Sequence, residues 1–171
     1  DEDAPPGEGF LADLVRDWEA AAEPAREAGV RVVHPRTGVV LTPEGGILGR
    51  TLPLFKLGLG ARLGDGRQWT SWISMPDQIA ALRFLIEREI AGPVNLTAPN
   101  PVTNETYTRT LGRVLRRPAR LAVPAFVLRA ALRDFADEGP LISQRVLPRR
   151  LEKAGFRFAH EHLEDALAAV L

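Results

Sequence analysis

Cysteine is absent from this chain of 171 residues, lysine occurs only at Lys56 and Lys153, and Tyr107 is the single tyrosine. Without cysteine there is no disulfide framework, no thiol nucleophile and no cysteine-ligated zinc. An excess of one charge is also missing: 22 basic side chains, nearly all arginine, balance 22 acidic ones. That balance removes the electrostatic footprint of a nucleic-acid binder. No apolar run approaches the ~20 residues of a membrane span. The opening Asp1-Glu2-Asp3-Ala4-Pro5-Pro6-Gly7 is acidic and loop-like, unlike a signal peptide, so a cytoplasmic protein is expected, with no nucleic-acid or membrane partner. The length is one domain's worth of chain, enough to bury about two-thirds of its unfolded surface.

Hydrophobic periodicity supplies the elements. Phe10, Leu11, Leu14, Val15, Trp18, Ala21 and Ala22 make one apolar helix face, and Pro24 either breaks that helix or begins a further turn. Val30 to His34 reads as a short buried strand, irregularised at Pro35 and Gly38 and resumed at Val39-Val40-Leu41. Ile47 to Leu57 suggests a helix, Gly58 to Gly66 a turn-rich loop, and Gln68 to Ser74 a strand. Ser74 and Asp77 have capping-box spacing for a helix through Leu85, with Pro76 in its first turn. Val94 to Ala98 is another strand, and Thr103 an N-cap for a helix through Leu115. Helices are expected from Pro124 to Leu132, from Arg145 to Ala154 and from Leu163 to Leu171, with the acidic segment from Asp134 to Gly139 as a break. Alternating helices and strands followed by helices alone indicate an α/β fold with a mostly helical lobe.

Isolated motifs establish no reaction. Gly58-Leu59-Gly60-Ala61-Arg62-Leu63-Gly64 is one residue too long for the dinucleotide fingerprint and leads into a strand rather than a helix. His160 and His162 do not share a helix face, so no metal site is expected. Asp77 and Glu105 sit in first helical turns, where a carboxylate opposes the helix dipole. No serine occupies a nucleophile elbow.

Longer blocks carry a resemblance. They are Arg31-Val-Val-His-Pro-Arg-Thr-Gly-Val-Val-Leu-Thr-Pro43, Gly64-Asp-Gly-Arg-Gln-Trp-Thr-Ser-Trp-Ile73, Gly92-Pro-Val-Asn-Leu-Thr-Ala-Pro-Asn-Pro-Val-Thr-Asn104 and Gln144-Arg-Val-Leu-Pro148. In this order they resemble the extended short-chain dehydrogenases/reductases. Within these the chain is most similar to the atypical, SDR39U1-like epimerase family, related to nucleoside-diphosphate-sugar epimerases. Its final segment looks like that family's C-terminal domain of unknown function. The resemblance implies the C-terminal part of a Rossmann-like fold. Residues 1–45 and 68–98 would be the remainder of the α/β domain, and residues 46–67 and 99–171 the substrate-side lobe. The N-terminal dinucleotide-binding half, roughly 100 residues at ~30 per βαβ unit, is expected to be missing. Open strand edges then imply instability, self-association or pairing with that half.

The resemblance also implies chemistry. The superfamily's Tyr-x-x-x-Lys pair, in which lysine lowers the phenol pKa, would fall at Leu11 and Val15, so the dyad is absent. The arginine that grips a sugar nucleotide's diphosphate is replaced by Thr70, and the usual His-x-Asp-Asp helix start by Ser74-Met75-Pro76-Asp77. Thr37, Gly38, Val39 and Val40 correspond to the segment approaching the nicotinamide end of NADP(H) or NAD(H). Arg36, Thr70, Trp72 and Arg145 are substrate-side candidates, with Trp69, Trp72 and Phe84 expected beside one cleft. Two readings stay open: an NAD(P)-dependent epimerase or oxidoreductase of unknown small-molecule substrate, or a catalytically silent NADP(H)-binding or protein-interaction module.

Overall fold

The computed structural model describes residues 1–133 and 135–171. The first half runs α1 (Phe10–Ala20), α2 (Glu23–Glu27), β1 (Val33–Thr37), β2 (Val39–Leu41), α3 (Gly46–Lys56) and β3 (Ala61–Leu63). It continues through β4 (Trp69–Thr70), β5 (Trp72–Ser74), α4 (Met75–Glu87), β6 (Gly92–Leu96) and β7 (Val102–Thr103). The remainder is α5 (Asn104–Val114), β8 (Leu121–Val123), α6 (Ala125–Leu132), α7 (Phe135–Glu138), α8 (Arg149–Lys153) and α9 (Leu163–Val170). The fold is α/β, as expected, with short strands.

β1 and β2 form one extended run that changes partner at Gly38. β1 pairs in parallel with β6, Val33 opposite Gly92 through Thr37 opposite Leu96. β2 pairs in parallel with β5, Val39 opposite Trp72 through Leu41 opposite Ser74. At the switch, the Gly38 N–H donates to Leu96 O (3.1 Å) and the Val39 N–H to Ser71 O (2.8 Å). A Cβ on Gly38 would lie 2.8 Å from both Ser71 O and Thr97 Cγ2, so only glycine lets three strands meet there.

The core divides into two clusters. The first gathers Leu41, Leu48, Phe55, Trp72, Tyr107, Leu111 and α9 residues. The second gathers Ile73, Ala81, Leu85, Val94, Leu96 and Leu151. Successive residues of a strand face opposite sides, so Val39 packs on the first cluster and Val40 on the second. Because α9 and α5 pack against β2 and β5, the first cluster draws on both of the residue groups expected to form separate lobes.

Several expectations need correction. The first strand lies three residues later than the β-branched run and passes through Pro35, whose exposed ring is tolerated at a strand edge. The strand over 68–74 is broken at Ser71, separating antiparallel β4–β7 from parallel β2–β5. β3 lies inside the glycine-rich stretch and pairs in parallel with β8, a strand too short to announce itself. The helix expected from Arg145 starts only at Arg149, because Pro148 stands at its N-cap. The acidic segment contains the short helix α7, while Asp134 lies outside the described residues. α1 forms where expected and Pro24 opens α2, but the apolar face of α1 is not buried: Phe10 is 71% and Trp18 77% exposed. Leu11, Leu14 and Val15 on the same face are also exposed, at 38%, 50% and 41%.

Candidate functional site

Val39 and Val40 line a shallow, mainly apolar hollow of about 400 Å³, with Thr42, Gly46, Ile47, Met75 and Gln78. It sits where β2 and β5 end and α3 and α4 begin, the position at which open parallel sheets bind ligands. α3 starts at Gly46, whose φ of 61° follows the turn through Pro43 and Glu44. α4 starts where the Ser74 hydroxyl accepts from the Asp77 N–H at 3.3 Å, as the capping spacing indicates.

Of the four cofactor-side candidates, Val39 and Val40 line the hollow, while Thr37 and Gly38 precede them in the chain and are not part of its lining. The Gln78 side-chain amide donates to Thr37 Oγ1 at 3.3 Å. Its carbonyl oxygen is buried without a partner among the described residues. A buried acceptor left unpaired costs about 1–3 kcal/mol, so a ligand supplying an N–H there would be favoured. An apolar wall with one spare amide acceptor suits a flat ring bearing a carboxamide, which is what a nicotinamide presents.

The substrate-side candidates separate. Arg36 is engaged by Glu19 through two parallel hydrogen bonds, Nε to Oε1 and Nη2 to Oε2, both 2.7 Å. The Arg36 guanidinium holds the Glu19 carboxyl below its ordinary value of 4.5. Trp72 is a core residue: it is 0% exposed, and its indole N–H donates to Asn100 O at 3.1 Å. Trp69, Trp72 and Phe84 do not cluster. The Arg145 guanidinium lies 5.2 Å from the Trp69 ring centre, Trp72 fills the first core cluster, and Phe84 stacks edge-on with Phe156 in the second. Thr70 is half-buried on β4 opposite Val102.

Ser71, not singled out by sequence reasoning, joins the two candidate sets. Its carbonyl receives the Val39 N–H, and its hydroxyl donates to Gln144 O (2.8 Å) and accepts from the Val146 N–H (2.9 Å). These bonds fix the segment that carries Arg145, whose guanidinium lies over Trp69. The only advance sign was a serine interrupting an apolar strand.

A histidine also reaches the start of α4, from far along the chain. His160 Nδ1 lies 3.0 Å from Ser74 Oγ, and the Ser74 hydroxyl donates to Asp77 Oδ2 at 2.9 Å. The Asp77 carboxylate, 1% exposed, also accepts the backbone N–H groups of Ala159 (2.7 Å) and His160 (3.0 Å). The serine is buried and spends its proton on the aspartate, so this constellation fastens segments rather than forming a nucleophile.

Tyr107 lies in the core. It is 6% exposed in the first core cluster, its hydroxyl has no partner among the described residues, and burial pushes its pKa up to about 12. A phenol that exchanges protons at neutral pH needs the opposite shift. Leu11 and Val15 are carried by α1, with no ionisable group to offer.

Residues 123–170 match the family model DUF1731, a domain of unknown function. An epimerase family protein of Mycobacterium bovis is 54% identical over 168 residues, covering 98% of this chain and 56% of that protein. The chloroplastic SDR39U1 homolog of Arabidopsis thaliana is 41% identical over 172 residues, covering 100% of this chain and 49% of that protein. The crystal structure of human epimerase family protein SDR39U1 (isoform 2) with NADPH superposes with a TM-score of 0.90 at 35% identity, covering 99% of this chain and 58% of that one. The chain spans about half the length of the curated relatives it matches.

Proposed function

Since the chain belongs to the epimerase family that includes the SDR39U1 homologues, we propose that it supplies the nicotinamide-side wall and substrate-side lobe of an NAD(P)-dependent epimerase or oxidoreductase. The observation that carries this is the hollow at the ends of β2 and β5, apolar along Val39, Val40, Ile47 and Met75 and provided with the unpartnered Gln78 acceptor. When bound, the dinucleotide supplies hydride transfer; the protein supplies position and exclusion of water. Val39 and Val40 would lie against the ring, and Gln78 would accept an N–H from its carboxamide. Gly38 keeps the strands close enough to hold that wall. Thr70 and Arg145 flank the neighbouring strand and are the proposed substrate-side residues; Arg36, neutralised by Glu19, acts on the strand's geometry instead. The substrate is a small molecule.

A second reading is favoured by one observation: Tyr107 is sealed in the core with a raised pKa, and the dyad positions are Leu11 and Val15. In that reading the protein binds NADP(H) without turning it over. The exposed apolar face of α1 supports self-association or packing against further protein in either case. Among the described residues no helix is long and apolar enough to cross a membrane; a cytoplasmic location is part of the proposal.

Titration of the protein with NADPH, followed by nicotinamide fluorescence, tests the binding. Saturable binding weakened at least about fivefold in Val40→Asp is expected, a single buried charge facing the ring being enough for that. Oxidation of NADPH with any of a panel of carbonyl compounds selects the enzyme reading, and binding without turnover the silent one. Absence of binding by the family's full-length protein would defeat both.

A further inference from the structure

Met75 carries the only sulfur atom of the chain, which has no cysteine and a single methionine. It stands in the wall of the hollow at the ends of β2 and β5, with Val39, Val40 and Ile47. Met75 is half-buried, so its side chain meets solvent while lying among hydrocarbon groups.

The backbone gives that side chain little room to withdraw. Met75 is the first residue of α4, between the capping Ser74 and Pro76, whose ring fixes its own φ. Ser74 is 0% exposed and is held from two sides: its hydroxyl donates to Asp77 Oδ2 at 2.9 Å, and His160 Nδ1 lies 3.0 Å from the same oxygen. A side chain at a helix start leans towards the N-terminal end, here towards the close of β5. The sulfur is therefore fixed to the hollow by a start of helix that cannot easily shift.

A thioether reacts with a peroxide without first losing a proton, unlike a thiol. The sulfur lone pair attacks one oxygen of hydrogen peroxide, the O–O bond breaks and an S–O bond forms. The other oxygen leaves as water with both peroxide hydrogens. Sulfur is oxidised by two electrons and the peroxide is reduced by two. The product replaces a soft apolar group by a dipole that ends in an oxygen acceptor. The hollow already contains one acceptor without a partner among the described residues, Gln78 Oε1. A second acceptor draws water onto an otherwise apolar wall, and a ring must strip that water before it can dock.

We propose that Met75 is an oxidation-sensitive gate of this hollow: its sulfoxide, formed by hydrogen peroxide, keeps the nicotinamide ring out, and reduction of the sulfoxide readmits it. This inference rests on the nicotinamide reading of the hollow and adds to it a response to oxidants.

The test uses the protein with an isotope-labelled methionine methyl, which gives one methyl resonance because there is one methionine. NADPH should shift that resonance. Hydrogen peroxide should add one oxygen atom, located at Met75 by peptide mass, move the resonance to the sulfoxide position and weaken NADPH binding about tenfold. Methionine sulfoxide reductases of both epimer specificities, supplied with a dithiol, should restore the mass and the affinity. In Met75→Leu the ratio of affinities before and after peroxide should stay near one, which separates Met75 from oxidation elsewhere, such as at the exposed Trp18. Should that variant fail to fold, the reductase decides by itself, since it repairs methionine sulfoxide and not oxidised tryptophan. Met75 that takes up no oxygen while N-acetylmethionine in the same solution is oxidised would overturn the proposal. So would unchanged affinity after complete oxidation, an equal loss in Met75→Leu, or a loss that the reductases do not reverse. Untreated protein that binds no NADPH would remove the nicotinamide reading and this gate with it, whereas binding that oxidation leaves untouched would remove the gate alone.

Discussion

Glu19 on α1 and Arg36 on β1 meet through two hydrogen bonds of 2.7 Å each, tying to the sheet a helix that buries none of its residues. The pair is partly exposed, so screening limits its contribution to about 1 kcal/mol. Arg36→Gln or Glu19→Gln should lower the urea midpoint accordingly at pH 7. The folded pKa of Glu19 is depressed below 4.5, so its stabilisation is present above that value and is lost as pH falls through the lower folded one. Glu19→Gln should therefore flatten the acid limb of the stability profile. Parent and variant with identical acid limbs would disprove the linkage.

Tyr107→Phe removes a buried hydroxyl that has no partner, so it should leave stability unchanged or raise it by up to about 1 kcal/mol. The folded pKa lies at about 12 against an ordinary 10.0. The folded state therefore holds its proton longer than the unfolded chain does. Stability is fully present below pH 10 and falls as pH rises towards 12, by about 2–3 kcal/mol over those two units. Equilibrium unfolding from pH 9 to 12 should show this fall in the parent and its loss in Tyr107→Phe. A marked destabilisation by the phenylalanine would mean that the hydroxyl has a partner after all.

Ser71→Ala leaves Val39's strand bond intact but strips the hydroxyl that binds Gln144 and Val146. The expected cost is about 2 kcal/mol, with faster amide exchange at Val146. Gly38→Ala, whose methyl would sit 2.8 Å from Ser71 O and Thr97 Cγ2, should cost about 1–3 kcal/mol and weaken NADPH binding with it. Gly38→Ala with parental stability would contradict the close approach of the strands.

Asp77→Ala should be the most damaging of these changes, at about 3 kcal/mol or more. It leaves the partly buried N–H groups of Ala159 and His160 and the buried Ser74 hydroxyl without their acceptor. His160→Ala removes one side-chain bond and should cost about 1 kcal/mol. Denaturant unfolding of the two variants gives the ranking; the reverse order would show that the imidazole, not the carboxylate, holds the C-terminal segment.

The sequence alone carried what local chemistry decides. Helical periodicity placed α1, α3, α4, α5 and α9, and the caps at Ser74 and Thr103 were readable from the spacing to Asp77 and from residue type. The scarcity of tyrosine and lysine already removed the usual proton-transfer pair. What depended on distant partners was not legible. β3 and β8 are three residues each and exist because they pair with one another across the chain. The change of partner at Gly38 follows from where β5 and β6 pack, Trp72 became core rather than site, and His160 reached Ser74 across 86 residues. Arg36 passed from candidate ligand contact to a partner of Glu19. Periodicity and capping act over one or two turns, whereas burial and ion pairing are set only once the chain has brought its remote segments together.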